Sequence, residues 1–148
     1  MMKITSDAFA NKTRIPAKYT CDGQDVIPPL SFHDVPSQAG SLALVVDDPD
    51  APGGTWDHWV VWNIPPAVRM VAEGKAPAGV VGRNSWNKSS WGGPCPPRGE
   101  HRYVFKLFAL DTTLQLPANA GKPELERAMK GHLIESCELM GLYQRSRS

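Results

Sequence analysis

Three strongly apolar runs, each closed by proline or glycine, constrain what this chain can fold into. They span residues 41–47 (SLALVVD), 58–64 (HWVVWNI) and 101–110 (HRYVFKLFAL). Runs of this length between turn-forming residues favour strands over helices. Because apolar residues occupy successive positions, we expect both faces of each strand to be covered. The chain is therefore predicted to be mostly β, with these runs as central strands.

The composition is typical of one globular domain. Apolar residues make up 41% and charged residues 21% of the 148 residues, which predicts a single domain over residues 1–148. The formal net charge is +1, so nothing favours nucleic acid or an anionic membrane surface as a partner. No stretch reaches the roughly 18–20 apolar residues of a membrane span. The N-terminal residues also lack a signal-peptide pattern, and a cytoplasmic location is expected.

One helix is predicted near the C-terminus, over about residues 123–142. Pro123 suits the first turn of this helix, and Gly141 suits its end. Apolar side chains recur at spacings of three and four and form one buried stripe: Leu125, Met129, Leu133, Cys137 and Met140. Residues 67–97 show little periodicity and are predicted to be an irregular segment over the sheet, and loops of that length are usually functional.

The three cysteines are odd in number and widely spaced. Cys21, Cys95 and Cys137 form neither a disulfide framework nor a CxxC metal motif. The count allows one disulfide, but in a cytoplasmic protein three reduced thiols are expected.

Polar residues stand at the ends of the apolar runs, beside the proline-rich segments DPDAP and GPCPP. Asp48 ends the first strand, and His58 and His101 begin the other two. Tyr103 shares a face with His101 because strand side chains alternate. Proline restricts the unfolded chain, so these turns hold their side chains in place. We expect a preformed polar pocket where the strand ends meet.

The first chemistry that suits this set is binding of a small anion such as phosphate. The histidines, the Tyr103 hydroxyl and the backbone N–H of Cys95 supply donors. Asp48 would orient one histidine and raise the pKa of that ring. Trp56 lies two residues before His58 and is expected to wall the pocket, with Trp86 and Trp91 as further candidates.

Two other chemistries use the same residues. Two histidines and one carboxylate form the facial triad of non-haem iron and also suit zinc, although no HxH or HExxH spacing is present. A cysteine hydrolase would use Cys95 as nucleophile, His101 or His58 as base and Asp48 to orient the base. Each residue taken singly also fits a structural role, since Asp commonly closes turns. The pairing of two such segments favours a binding site without a cofactor.

The segments DPDAP, HWVVWNIP and GPCPPRGEHRYVFKLFALD together resemble the phosphatidylethanolamine-binding protein family. Nearly the whole chain is similar to its short bacterial and archaeal branch, the Raf-kinase-inhibitor-like proteins. The resemblance implies a large, mainly antiparallel sheet packed against a smaller one, with a C-terminal helix. It also implies a pocket for phosphate or a phosphorylethanolamine head group. By motif position this pocket comprises Asp48, Trp56, His58, Gly93, Pro94, Cys95, Pro96, His101 and Tyr103.

The resemblance also bears on partners. It implies ligand binding rather than catalysis, no cofactor, and a homodimer, which is common in this branch. A protein-interaction role, with inhibition of a kinase or protease, stays open beside the enzymatic alternatives. Ile27 and Trp91 depart from the usual Ser and Tyr of the branch, and Lys88, Ser89 and Ser90 make the neighbouring loop less glycine-rich. These departures predict a narrower or more apolar pocket mouth.

Overall fold

The computed structural model describes residues 1–145 and, within them, contains two β-sheets and one α-helix. The strands are β1 (Lys3–Thr5), β2 (Thr13–Arg14), β3 (Leu30–His33), β4 (Ser41–Asp48), β5 (Trp56–Ile64), β6 (Met70–Val71), β7 (Val80–Val81), β8 (His101–Leu110) and β9 (Leu133–Tyr143); α1 spans Lys122–Met129. The large sheet has the order β2-β9-β8-β4-β5-β7, and the small sheet has the order β1-β3-β6. All these pairs are antiparallel except β2 with β9. The predicted two-sheet architecture is confirmed.

The three apolar runs form β4, β5 and β8 at the centre of the large sheet, as predicted. One face of this sheet packs on the small sheet, through side chains that include Leu44, Val46, Trp59, Phe105, Ile4 and Phe32. The other face packs on α1 and the chain before it, through Val45, Val60, Trp62, Leu125 and Met129. Layers on both faces explain why all eight residues of β4 are buried and why the apolar runs are continuous rather than alternating.

The predicted helix over residues 123–142 is correct only for its first two turns. It ends at Met129, where the N–H of His132 donates to the Met129 carbonyl at 3.0 Å. Gly131 follows with φ 81°, the left-handed conformation that commonly terminates helices. The chain then enters β9, which pairs with β8 from Leu133 opposite Leu110 to Tyr143 opposite His101. Backbone groups along β8 need partners, and this long-range pairing outweighs the helical spacing of the apolar residues.

The expectation of three reduced thiols is wrong. Cys21 and Cys95 form a disulfide across a sequence separation of 74, and Cys137 is the free cysteine of the described residues. Burial, with Glu135 and Glu138 nearby, raises the pKa of the Cys137 thiol to about 11. The disulfide joins the turn after a 3-10 segment at Ala17–Tyr19 to the GPCPP loop.

Residues 67–97 form only β6 and β7 and are otherwise irregular, as predicted. This segment passes over the ends of the central strands and brings Trp86, Gly92 and Cys95 beside them. No helix in residues 1–145 is long and apolar enough to cross a membrane.

Candidate anion-binding site

A cavity of about 640 Å³ lies where β4 ends and β5 and β8 begin. These ends meet because β4 runs antiparallel to both neighbours. Seven of the nine predicted site residues line it: Asp48, Trp56, His58, Cys95, Pro96, His101 and Tyr103. The loop between β4 and β5, together with Ser85, Trp86 and Pro97, completes the lining.

Gly93 and Pro94 were predicted in the site but do not reach this cavity. The N–H of Gly93 donates to Oδ1 of Asp25 at 2.9 Å, and the Pro94 carbonyl accepts from the N–H of Cys21 at 3.1 Å. A Cβ at position 93 would collide with the Asp25 carboxylate and the Tyr19 carbonyl, so glycine is required there. These two residues support the loop that carries Cys95 through contacts outside the cavity.

Asp48 orients His101 in the structure. Its Oδ2 lies 2.7 Å from Nδ1 of His101, and the two side chains are 5% and 8% exposed. The other carboxylate oxygen accepts the backbone N–H of Asp50 at 2.8 Å. Since a carboxylate accepts, Nδ1 of His101 carries the proton and Nε2 is left for another partner.

His58 owes its position to a β-bulge. Val46 is opposite Trp59, but the next pair is Asp47 opposite Asp57, which leaves His58 as an extra residue on β5. A bulge of this kind re-aims the side chains that follow it. Asp57 thereby points towards Lys122, the first residue of α1, and forms an ion pair with it. His58 points into the cavity instead.

The ring of His58 is held by the loop over the strand ends. Its Nδ1 lies 2.7 Å from the Gly92 carbonyl, and its own carbonyl accepts the Gly92 N–H at 3.1 Å. The ring stands edge-on to Tyr103 and Trp86, with centroids 5.2 and 5.0 Å away. Burial lowers the pKa of His58, although Gly92 and Asp48 oppose the change. The ring is therefore neutral at pH 7, with Nδ1 protonated.

The buried hydroxyl of Tyr103 makes no well-formed hydrogen bond within residues 1–145, although the Asp48 carboxylate and the Cys95 N–H lie near it. Burial, followed by the nearby Asp48 carboxylate, raises the pKa of Tyr103 far above its usual value, so the group stays a hydroxyl. The Cys95 backbone N–H, a predicted donor, lies close enough to oppose part of this rise. A buried hydroxyl without a partner costs free energy, and a ligand in the cavity would satisfy it.

Two tryptophans form an aromatic wall at the cavity mouth. Trp56 and Trp86 are 36% and 40% exposed and stand edge-on, with ring centroids 5.5 Å apart. Trp91 instead packs in the core between the sheets, and Ile27 is buried there too. The two departures from the family pattern therefore do not lie at this mouth, and the predicted narrowing does not follow from them.

A clamp beside the cavity was not predicted. Asp50 accepts the backbone N–H of Arg102 at 2.8 Å and the guanidinium Nε and Nη2 at 2.9 and 2.8 Å. This guanidinium lowers the pKa of Asp50 to about 2. The clamp ties the β4–β5 loop to the start of β8, next to His101. The available signal is the second Asp of DPDAP, although an Asp in such a segment also fits a plain turn.

Two alternative chemistries can be compared with this geometry. The cysteine hydrolase is contradicted, because Cys95 is in a disulfide and has no thiol. For metal binding, residues 1–145 contain no group of three His, Cys, Asp or Glu side chains placed to hold an ion. In the predicted triad, Asp48 already binds Nδ1 of His101.

Similar proteins occur in archaea and bacteria. A UPF0098 protein of Pyrococcus abyssi is 50% identical, covering 98% of this chain and 86% of the relative. A UPF0098 protein of Methanothermobacter thermautotrophicus is 47% identical, and the match covers 97% of this chain and 99% of the relative.

Two solved structures share the architecture. The putative phosphatidylethanolamine-binding protein homologue CT736 of Chlamydia trachomatis superposes with a TM-score of 0.96 at 44% identity, covering 98% of each chain. E. coli YbcL, described as a member of the mammalian PEBP family, gives 0.90 at 30% identity, covering 98% and 99%. The family model for phosphatidylethanolamine-binding protein matches residues 5–144. The chain therefore belongs to the phosphatidylethanolamine-binding protein family.

Proposed function

We propose that this protein is a receptor for a small anion, a phosphate-bearing or carboxylate ligand, which it binds without making or breaking a bond. The observation that carries the proposal is the buried hydroxyl of Tyr103, which makes no well-formed hydrogen bond within residues 1–145, in a cavity lined by two histidines. The Nδ1 atoms of both histidines are already engaged by the protein. Each ring therefore has only Nε2 for a ligand.

The spacing of these groups suits a ligand group of phosphate size. The His58 and His101 rings lie 5.2 and 6.4 Å from the Tyr103 ring, measured between centroids. A tetrahedral anion has several acceptor oxygens and can engage donors from different directions. Trp56 and Trp86 would cover whatever group the anion carries. The family's name and those of its solved members support a phosphorylated ligand.

Protonation should govern this binding. A histidine offers an Nε2 donor to an anion only when the ring is charged, if Nδ1 is already committed. We therefore expect affinity for phosphate to fall as pH rises, because the ring of His101 loses its Nε2 donor with its second proton, while the buried ring of His58 is already neutral. A flat affinity profile between pH 5.5 and 8 would contradict the role given to the histidines.

The test is calorimetric titration of phosphate and phosphorylethanolamine into purified protein of known metal content. The variant is His58→Ala/His101→Ala. The matched control is His33→Ala/His132→Ala, since those two rings bind Thr5 and Asp111 at exposed positions. Binding should be lost in the first double variant and kept in the second. Binding that survives in the first, or a stoichiometric metal at the site, would overturn the receptor proposal.

An enzymatic role for Asp48, His58 and His101 is the competing function. It predicts turnover in a general esterase and phosphatase screen, with loss of turnover in the His58→Ala/His101→Ala variant. The receptor proposal predicts binding without turnover in that screen.

Three broader predictions stay attached to this proposal. A homodimer predicts twice the chain mass in solution, and regulation of a kinase or protease predicts a stoichiometric partner in a pull-down. A cytoplasmic location predicts recovery in the cytosolic fraction of cells. The disulfide weighs against that location, because disulfides are mostly found in oxidising compartments.

A further inference from the structure

Residues 1–145 place no fixed positive charge in the cavity lining. This lining includes the Asp48 carboxylate but no lysine or arginine of the described chain. The nearby Arg102 is engaged by Asp50. The lysines of β8 and α1 pair with Asp47, which faces the opposite side of the sheet. A doubly charged anion would therefore enter a site whose one permanent charge is negative, which is unfavourable at short range.

His58 presents an acceptor to this cavity. Its Nδ1–H donates to the Gly92 carbonyl at 2.7 Å, and a carbonyl oxygen can only accept. In the neutral ring, Nε2 then carries a lone pair, since the hydrogen bond of this ring to Gly92 is made by Nδ1.

The surroundings keep the ring of His58 in this neutral form. The titratable groups that face it are Asp48 on β4 and His101 and Tyr103 on β8, and Asp47 acts on it from the other side of the sheet. The two carboxylates favour a charged ring, but burial is the larger effect and lowers the pKa of His58. A ligand at this position meets a lone pair.

We infer, resting on the proposed function, that the pocket selects an anion that brings its own proton: a singly charged phosphomonoester whose P–OH donates to Nε2 of His58. The other phosphoryl oxygens then accept from the Tyr103 hydroxyl and from Nε2 of His101, which donates when that ring carries a second proton. The second pKa of a phosphomonoester is near ~6, so the singly charged form is abundant below neutral pH. Sulfate esters and phosphodiesters have no such proton. A carboxylic acid, with a pKa near ~4, has mostly lost its proton at the same pH.

This assignment distinguishes two sources of a phosphorylethanolamine group. The free compound is a monoester and carries the proton. The head group of an intact phospholipid is a diester and does not. The pocket is therefore assigned to soluble phosphomonoesters rather than to lipid head groups.

The test uses three ligands that share an ethanolamine group: phosphorylethanolamine, ethanolamine O-sulfate and glycerophosphorylethanolamine. Each is titrated calorimetrically into the protein at pH 5.0, below the second pKa of the monoester near ~6. The monoester should bind about tenfold tighter or more than the other two, because these leave a buried acceptor without its donor. Similar affinities for all three would overturn the inference while leaving the anion receptor intact. If none of the three binds, the inference fails, and if inorganic phosphate does not bind either, the anion receptor fails with it.

Proton counting separates a proton on the ligand from one on His58. Titrations in two buffers with different heats of ionisation give the number of protons taken up on binding. We expect monoester binding at pH 5.0 to take up no more than about 0.3 protons more in the wild type than in His58→Gln, because the proton that reaches His58 arrives with the ligand. An uptake of about one proton that disappears in His58→Gln would show that the ring of His58 must be charged first, and would overturn the inference.

A variant provides an independent check. In His58→Gln the side-chain amide offers both a donor and an acceptor, so the preference for monoester over sulfate ester should fall towards one. His33→Gln, at an exposed position, should keep the wild-type preference. An unchanged preference in folded His58→Gln would contradict the role of Nε2. If that variant does not fold, the ligand panel with the wild-type protein decides the question.

Discussion

Asp48 and His101 come from neighbouring strands and meet in a buried hydrogen bond of 2.7 Å at the floor of the candidate site. Asp48 also accepts the backbone N–H of Asp50, so one carboxylate holds both a ring and the start of the β4–β5 loop. The position of the ring in the site therefore depends on a residue 53 positions away in the chain.

Replacing this carboxylate should cost stability as well as binding. Asp48→Ala should lower the free energy of unfolding by about 1–3 kcal/mol, because Nδ1 of His101 is left buried without an acceptor. Asp48→Asn keeps an acceptor oxygen, so its free energy of unfolding should fall by less than that of Asp48→Ala. Urea denaturation measures both, with Asp7→Ala as the exposed control. Equal losses for all three variants would contradict a specific role for the pair.

The buried ring of His58 should make stability depend on pH. Its pKa is lowered in the folded protein, whereas in the unfolded chain it lies near ~6.5. The unfolded state therefore binds the proton first, and stability is full above pH ~6.5 and lost as pH falls towards the folded pKa. Thermal melts between pH 7 and 5 should show a smaller loss for His58→Gln than for the wild type. Identical pH profiles would be inconsistent with a neutral buried ring.

The Asp50–Arg102 clamp should affect the pH dependence of stability at much lower pH. The guanidinium holds the pKa of Asp50 at about 2 against an ordinary value of 3.8. The stability it contributes is present above pH 3.8 and is lost as pH falls towards 2. Carboxyl-carbon NMR titration should find the pKa of Asp50 raised in Arg102→Gln. In Arg102→Lys the pKa of Asp50 should lie between its values in the wild type and in Arg102→Gln, because an ammonium group cannot bind both carboxylate oxygens as a guanidinium does. An unchanged titration in Arg102→Gln would refute the clamp.

The disulfide can be tested by counting free thiols. Denatured, unreduced protein should show one thiol, that of Cys137, and reduction should raise the count to three. The bridge closes a long loop, with a sequence separation of 74. Cys21→Ser/Cys95→Ser should therefore lower the free energy of unfolding by about 2–4 kcal/mol in chemical denaturation. Cys137→Ser, which leaves the bridge intact, is the comparison. Three thiols before reduction would contradict the structure.

The central strands and the grouping of polar residues at their ends could be predicted because both depend on residues that are close together in the sequence. Apolar runs bounded by proline and glycine predicted β4, β5 and β8. Asp48, His58, His101 and Tyr103 were expected at one mouth, and the structure places all four around one cavity.

The C-terminal strand could not be predicted in this way. Leu133 and Cys137 continue the helical spacing of α1, yet Leu133 is 51% exposed in β9. The register of β9 comes from its partner β8, whose residues lie about 30 positions earlier in the chain. The same is true of the disulfide, since nothing in the spacing of three cysteines selects Cys21 as the partner of Cys95.

The sequence by itself therefore determined the β-rich class, the three buried strands and the residue types at the site, because hydrophobic pattern and proline stiffness act over a few neighbouring residues. Only the tertiary structure decided which nitrogen of each histidine faces the cavity. That choice depends on the bulge in β5, the Gly92 carbonyl and the Asp48 carboxylate. These contacts join segments far apart in the chain, and they arise only when the sheet has assembled.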